Sequence, residues 1–248
     1  MIEKDAKQEV ERIIRAGETA GIRLRVLGGL AVYLTCPSAM THARLKRSYA
    51  DIDLVGLEKD GSHLGQLFTQ LGYAPDQRFN ALHGRTRMIF YNPDDGSHVD
   101  VFLDKFQMCH ILDLRERLLE GYISLTLADL LITKIQIVEM NEKDIKDILA
   151  ILLDHAIGSE APDRLDLDYF IRLTSNDWGL YTTLSDNLVK SKEHLLDYLQ
   201  GKEVNLVEQR VDQILQTMQT APKSLRWRAR AKIGRRMEWY DLPDEVKR

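Results

Sequence analysis

Residues 49–55, Tyr-Ala-Asp-Ile-Asp-Leu-Val, predict a half-buried β-strand. Side chains on a strand alternate between its two faces, so Ile52 and Leu54 should face the core while Asp51 and Asp53 share the opposite face. An isolated Asp-x-Asp pair is usually a solvated strand end. Two carboxylates on one edge can also bridge hard cations, which prefer oxygen ligands.

A second strand is predicted at residues 98–103, His-Val-Asp-Val-Phe-Leu, after a turn signal at residues 92–96. Val99, Val101 and Leu103 share the buried face and Asp100 lies on the other one. If this strand lay beside Asp51 and Asp53, three carboxylates would meet, which is costly unless a divalent metal neutralises them. Two Mg²⁺ ions about 3.5–4 Å apart, or Mn²⁺ in their place, would then hold the attacking and leaving oxygens of a phosphoryl or nucleotidyl transfer.

The pair Gly28-Gly29 follows a predicted strand over residues 22–27 and opens a short helical stretch. Glycines there let the backbone approach a ligand and aim free N–H groups at an anion, and the helix N-terminus adds positive potential. A tight turn is the simpler interpretation. Because the chain contains neither GxGxxG nor GxxxxGK, it predicts neither a dinucleotide-binding fold nor a P-loop.

The periodicity changes once along the chain. Residues 3–16 and 62–72 predict amphipathic helices, residues 79–83 and 86–91 a hairpin pair, and from Leu112 onward helical spacing dominates. We therefore predict an α/β (α+β) fold, with an N-terminal mixed β-sheet flanked by helices and an all-helical C-terminal half. The expected domains are 1–112 and 113–248, the second completing the cleft of the first. The predicted C-terminal helices cover residues 126–139, 142–157, 176–200, 203–219 and 223–240.

The composition indicates a globular cytoplasmic protein. The chain has 248 residues, of which 44% are hydrophobic and 29% charged, and only two cysteines. These values exclude a disordered chain and a disulfide framework. The N-terminus lacks the apolar core of a signal peptide, and the longest apolar runs fall short of the roughly 20 residues that a membrane span needs. The net charge of −4 conceals a basic segment, residues 223–236, with seven Lys/Arg and no acidic residue. It could attract RNA or a phosphorylated ligand, or be a solvated helix packed on the acidic remainder.

Taken in order, Gly28-Gly29, Asp51-x-Asp53 and Asp100 resemble the signature of the polymerase-beta-type nucleotidyltransferases. The Asp-Ile-Asp-Leu form and the helices after it resemble the AbiEii-type toxin nucleotidyltransferases, over about residues 26–155. This resemblance implies a nucleotidyltransferase-type sheet and Mg²⁺-dependent transfer of NMP from an NTP. Asp51 and Asp53 would hold both metals, Asp100 would complete one metal site and help to activate the acceptor, and Gly28-Gly29 would bind the triphosphate.

Further candidates lie in the helical half. Lys134 falls within an apolar stripe, where an amine must snorkel or find an anion such as a nucleotide phosphate. The resemblance implies that Lys134 and Asp144 contact nucleotide or complete the active site, and that Asp147 binds nucleotide. A salt bridge from Lys143 is the alternative for Asp147. Arg47 is a candidate triphosphate ligand or part of a basic surface loop, and Arg85 and Arg87 are weaker candidates for the cleft.

The acceptor is open to more than one interpretation. The resemblance implies a toxin-like activity on RNA, with tRNA 3′ ends as acceptor and a neutralising antitoxin as partner. A small molecule such as an aminoglycoside is an alternative acceptor for the same chemistry. A catalytically silent module that only binds nucleotide or RNA is an alternative of another class.

Overall fold

Five strands form a mixed sheet in the computed structural model, which describes residues 3–49, 51–120, 123–158 and 163–242. The strands lie in the order β1-β2-β5-β4-β3. Strands β2 and β5 pair in parallel, and the other neighbours pair antiparallel. The bounds of the strands are β1 Arg25–Leu27, β2 Ile52–Gly56, β3 Ala74–Pro75, β4 Arg87–Tyr91 and β5 His98–Leu103.

The chain divides into two units. The first comprises Met1–Thr35, Ser48–Phe106 and Leu112–Thr126, and contains the five-stranded sheet. The second comprises Cys36–Arg47, Gln107–Ile111 and Leu127–Arg248.

Helices and apolar side chains cover the sheet of the first unit. Phe68 on a helix stacks on Phe90 of β4 with ring centroids 4.3 Å apart, and both side chains are fully buried. Such contact removes large apolar surfaces from water and stabilises the unit. The helices of this unit are α1 Glu3–Thr19, α2 Gly28–Thr35, α4 Gly61–Gln70 and α5 Gln77–His83. A separate two-stranded sheet joins β6 Lys105–Gln107 and β7 Ile111–Asp113.

The second unit consists mainly of helices. Its longest helix buries an apolar stripe at helical spacing, Val207, Val211, Ile214 and Met218. The helices are α3 Pro37–Thr41, α6 Leu127–Ile135, α7 Glu142–Asp154, α8 Leu167–Thr174, α9 Trp178–Glu193, α10 Leu195–Tyr198, α11 Lys202–Thr220 and α12 Leu225–Ile233.

The structure confirms the predicted mixed α+β fold, with its N-terminal sheet and helical C-terminal half. The prediction for residues 79–83 was wrong, because this segment is helix α5 rather than a hairpin strand. The Asp76 side chain caps α5 by accepting a hydrogen bond from the Phe79 N–H. Helix α8 was not predicted. Among the described residues, no helix combines the length and apolar composition needed to cross a bilayer.

Candidate active site

Asp53 and Asp100 occupy directly paired positions on neighbouring parallel strands. The register of β2 and β5 matches Asp53 with Asp100, between the apolar pairs Ile52–Val99 and Leu54–Val101. Since paired residues in a sheet point to the same face, the two carboxylates lie side by side on strands about 4.8 Å apart. Asp53 is half-buried and Asp100 is buried. The sequence predicted that each of these two aspartates faces away from the apolar side of its strand, and this is confirmed.

Gly28 lies against the Asp53 carboxylate. Strand β1 pairs with β2 so that Leu27 matches Asp53, and Gly28 follows as the first residue of α2. Gly28 has a φ of +70°, and a Cβ atom there would overlap Asp53 Oδ2 and lie 3.1 Å from its Cγ. Only glycine satisfies both conditions. The predicted strand-to-helix turn is confirmed, while the role of Gly28-Gly29 in binding triphosphate stays a prediction.

Arg87 forms a bidentate ion pair with Asp100. Its Nε donates to Asp100 Oδ1 at 2.8 Å and to Oδ2 at 3.0 Å, and a second guanidinium nitrogen donates to Oδ2. The guanidinium also lies over the Phe102 ring, 4.8 Å from its centroid. Burial lowers the pKa of Arg87, but the hydrogen bonds and charge of Asp100 outweigh burial and raise it. Arg87 therefore remains charged beside both aspartates.

Arg85 and Arg87, both candidates for the cleft, have different surroundings in the structure. Arg85 and Arg87 lie two residues apart, yet Arg85 pairs with Glu58 on the surface, where 90% of the Arg85 side chain is exposed. The sequence feature that distinguishes Arg87 from Arg85 is its position at the start of strand β4. An alternating strand places residue 87 on the same face as residue 89, and Ile89 is the residue of β4 that matches Asp100.

Asp51 lies outside strand β2, at its N-terminal side. Its side chain is 62% exposed, and its Oδ1 atom lies 3.9 Å from His98 Nε2. Within residues 3–49, 51–120, 123–158 and 163–242, no group of three or more His, Cys, Asp and Glu residues is arranged to hold a metal ion. The expected cluster of three carboxylates is therefore not formed in the described chain. The structure brings together Asp53 and Asp100.

The donor chemistry of this pair fits a divalent cation. Carboxylate oxygens are the ligands that Mg²⁺ prefers, and two carboxylates at paired positions repel each other until a cation lies between or beside them. In this structure Arg87 supplies that positive charge to Asp100. The assignment of Mg²⁺ to Asp51, Asp53 and Asp100 stays a prediction.

The other predicted residues form a charge cluster within the second unit, which we define as Arg47, Lys134, Asp144 and Asp147. Lys134 Nζ lies 2.9 Å from Asp147 Oδ2 and 3.2 Å from Asp144 Oδ1. Arg47 donates to both oxygens of Asp147, at 2.8 and 2.7 Å. The Asp147 side chain is completely buried. The four predicted residues of this unit are thus brought together.

The start of helix α7 explains the position of Asp144. Asn141 caps this helix, and the Asp144 side chain in turn accepts from the Asn141 N–H at 3.3 Å, forming a capping box. The same carboxylate meets Lys134 from the last turn of α6. Burial lowers the pKa of Lys134, but the charges of Asp147 and Asp144 outweigh burial. The net effect is a raised pKa, so the amine stays protonated. Lys134 therefore does not snorkel, because protein carboxylates supply its anion.

Three solved structures are similar to this chain. The antibiotic-resistance factor ANT(2'')-Ia is 13% identical with a TM-score of 0.41, over 60% of this chain and 84% of that chain. The lincosamide antibiotic adenylyltransferase LnuA, bound to lincomycin, is 14% identical with a TM-score of 0.42, over 58% and 94%. An antigenic nucleotidyltransferase-like protein from Paracoccidioides brasiliensis is 14% identical with a TM-score of 0.41, over 88% and 94%. No protein-family model and no curated protein sequence matches this chain.

Proposed function

We propose that this protein is a nucleotidyltransferase that moves NMP from an NTP to an acceptor. The observation that supports this most is the matched pair Asp53 and Asp100, with Gly28 packed against the Asp53 carboxylate. Because of this pairing, two of the three aspartates of the sequence signature lie on one face of the sheet. The chemistry is in-line attack of the acceptor on the α-phosphorus, with pyrophosphate leaving.

Asp53 and Asp100 would hold Mg²⁺ or Mn²⁺, and the exposed Asp51 side chain would have to turn toward them to complete the predicted ligand set for two ions. When bound, the metal neutralises phosphate charge and polarises the phosphoryl oxygens. Asp100 would also accept the proton of the attacking hydroxyl or amine, and this role needs one of its oxygens to be released by Arg87. The free N–H groups at Gly28-Gly29 would face the triphosphate.

Lys134, Asp144, Asp147 and Arg47 keep their proposed roles toward nucleotide. Lys134 and Arg47 are cations that a phosphate could bind, and Asp144 and Asp147 orient them. Because both cations already contact Asp147, a phosphate has to compete with a buried carboxylate. Nucleotide binding at this cluster should therefore weaken or replace the ion pairs of Asp147.

The proposed acceptor is RNA, with tRNA 3′ ends favoured by the resemblance to toxin nucleotidyltransferases, and the same resemblance supports a protein antitoxin as partner. The basic segment 223–236 is compatible with an RNA acceptor. A small-molecule acceptor such as an aminoglycoside is retained as an alternative outcome of the test below. Binding of nucleotide or RNA without transfer is the other alternative.

The test is transfer of label from each α-³²P-NTP in the presence of Mg²⁺, with total RNA, purified tRNA or an aminoglycoside mixture as acceptor. We expect label on RNA, and a loss of at least 100-fold in Asp53→Asn. The matched control is Asp60→Asn, since Asp60 lies in the same unit and its side chain caps no backbone N–H. Absence of transfer to every acceptor by the unmodified protein would refute the proposal, and label on the aminoglycoside alone would reassign the acceptor.

A further inference from the structure

A cavity lined by tryptophan and arginine side chains lies within the second unit. None of the four residues of the charge cluster lines it. Its volume is about 360 Å³, which lies within the usual range for small-ligand sites. The start of helix α9 forms one wall, and helix α12 with the residues after it forms the other. The side chains that line it include Asp177, Trp178, Arg226, Trp227, Arg230 and Trp239.

Two of the three tryptophans are held in place by contacts within the unit. Trp178 and Trp239 meet edge to face with centroids 5.8 Å apart, and Trp239 Nε1 donates to Thr183 Oγ1 at 3.1 Å. The Arg230 guanidinium lies 4.7 Å from the Trp178 ring centroid and donates to the Gly234 and Met237 carbonyls at 2.8 and 2.7 Å. The aromatic walls are therefore preorganised.

Trp227 carries an unused hydrogen-bond donor. Its Nε1 is buried, and among the described residues no acceptor lies within hydrogen-bond distance of it. A buried donor without an acceptor costs about 1–3 kcal/mol, so such groups are rare outside sites where a ligand or water completes them. The same ring lies beside Tyr181, with centroids 5.4 Å apart, and under the Lys223 amine.

The surroundings of the cavity are strongly basic. Helix α12 leaves each of its residues at least partly exposed, and it packs on α9 through Trp227 beside Tyr181 and Arg230 over Trp178. The acidic group in the wall, Asp177, already caps α9 by accepting from the Leu180 N–H at 2.9 Å. The exposed cations of this segment are Arg226, Arg228, Lys232, Arg235 and Arg236, and Arg235 pairs with Asp186.

We propose that this cavity holds one base of a single-stranded nucleic acid, while Arg226 and Lys232 contact phosphates on either side of that base. Every base has a flat π-face that can stack on indole and guanidinium groups. A cavity with aromatic walls and a basic rim matches this chemistry. The inference deepens the proposed function, because it assigns where an RNA acceptor would bind.

The experiment measures the fluorescence anisotropy of a labelled 12-nucleotide single strand of mixed sequence, with the full chain in EDTA and without NTP. Binding is expected for single-stranded RNA and more weakly for duplex RNA of the same length. A DNA strand of the same sequence shows whether the 2′-hydroxyl contributes. These conditions separate binding from catalysis. Asp53→Asn should therefore bind RNA as the unmodified protein does, even where it transfers no NMP.

Two variants test the site. Arg226→Gln combined with Lys232→Gln should weaken binding at least tenfold at 100 mM salt and reduce the slope of log K against log salt by about 1.4. The control, Lys46→Gln combined with Lys202→Gln, removes the same charge from exposed positions of the same unit. Trp227→Phe should weaken binding about five- to hundredfold, because the smaller ring stacks less on a base.

The proposal is overturned if the control variant weakens binding as much as the Arg226/Lys232 variant, since general charge would then account for binding. It is also overturned if Trp227→Phe binds normally, or if 100 µM protein leaves the anisotropy of the RNA unchanged. Thermal unfolding of each variant shows whether a loss of binding reflects a loss of folding. If Trp227→Phe fails to fold, tryptophan fluorescence of the unmodified protein decides, because bound RNA must quench it.

Discussion

Two buried carboxylates, Asp100 and Asp147, meet their cations in different ways. In the described chain Asp100 forms an ion pair with one cation, Arg87, whose side chain is 27% exposed. The residue paired with Asp100 on the adjacent strand is another carboxylate, Asp53. Asp147 meets two cations, Arg47 and Lys134, whose side chains are only 13% and 14% exposed. The first arrangement places like charges together beside one cation, and the second holds a buried carboxylate between two cations.

This difference separates a site suited to gaining a cation from one that already holds its counterions. A pair of carboxylates is stabilised by any added positive charge, whereas an ion pair with matched charges gains little from one. Metal should therefore act on Asp53 and Asp100, and phosphate should compete with Asp147. Substitutions at the two carboxylate sites test this difference.

Removing the charge of Asp147 should cause the largest loss of stability. In Asp147→Asn, Lys134 and Arg47 keep their charges in a buried place but lose their main partner, which costs about 3–5 kcal/mol. For a chain of this size that corresponds to a fall of about 6–20 °C in Tm, measured by circular dichroism. The control is Asp212→Asn, whose pair with Lys192 lies at the surface and should contribute little. Equal Tm values for the two variants would show that the cluster is not structural.

Replacing Arg87 should destabilise the protein less and make its stability depend on metal. In Arg87→Gln, Asp100 loses its cation, and we expect a cost of about 1–3 kcal/mol because the arginine is partly exposed. Mg²⁺ or Mn²⁺ at 10 mM should then raise the Tm of the variant more than that of the unmodified protein, without nucleotide. Arg85→Gln is the control, since Arg85 pairs with Glu58 at the surface. The same metal response in all three proteins would contradict the assignment of the cation site to Asp100.

Gly28→Ala should lower the stability of the protein through its backbone conformation, and it should also disturb the Asp53 carboxylate. Gly21 has a φ of +71°, almost the same as the +70° of Gly28, but a Cβ at Gly21 meets no atom within 4 Å. Both alanine variants should therefore lose about 1–2 kcal/mol from the left-handed conformation. Only Gly28→Ala should also displace the Asp53 carboxylate and abolish NMP transfer. Transfer at an unchanged rate in Gly28→Ala would show that the close contact between Gly28 and Asp53 is not needed for NMP transfer.

Acidification should weaken the second unit through His110. Burial lowers the pKa of His110, whose Nε2 lies 2.8 Å from Thr183 Oγ1. Because the unfolded chain binds this proton more readily, the free energy of unfolding should fall as the pH drops below about 6.5, down to the lowered pKa of the folded state. Urea unfolding at several pH values measures this. His110→Gln should remove part of the dependence, and an unchanged profile would exclude His110 as its source.

The sequence could predict the two aspartate strands because each carries its own signal. Residues 49–55 and 98–103 alternate in polarity, and that pattern determines which face each aspartate takes. The ion pair of Arg87 could not be predicted in the same way. It depends on β5 lying between β2 and β4, an order that comes from pairing between distant segments.

The charge cluster was predictable in part. Lys134 in an apolar stripe indicated that an anion must lie nearby, and the structure places Asp144 and Asp147 there. Arg47 reaches Asp147 from a loop that no periodicity connects to α7, so this contact depends on tertiary packing. Helix α5 was missed although its capping residue, Asp76, was visible in the sequence. A segment of seven residues shows too few turns for periodicity to distinguish helix from strand.

The parallel pairing of β2 and β5 has a consequence for how the protein is made. The chain between these strands forms α4, β3, α5 and β4, and β5 must pair on one side with β2 and on the other with β4. Contacts between distant segments form slowly, because the entropy of closing the loop opposes them until the strands meet. A growing chain on the ribosome therefore has no matched aspartates until β5 has emerged. Any activity that needs both of them begins only after β5 has paired with β2.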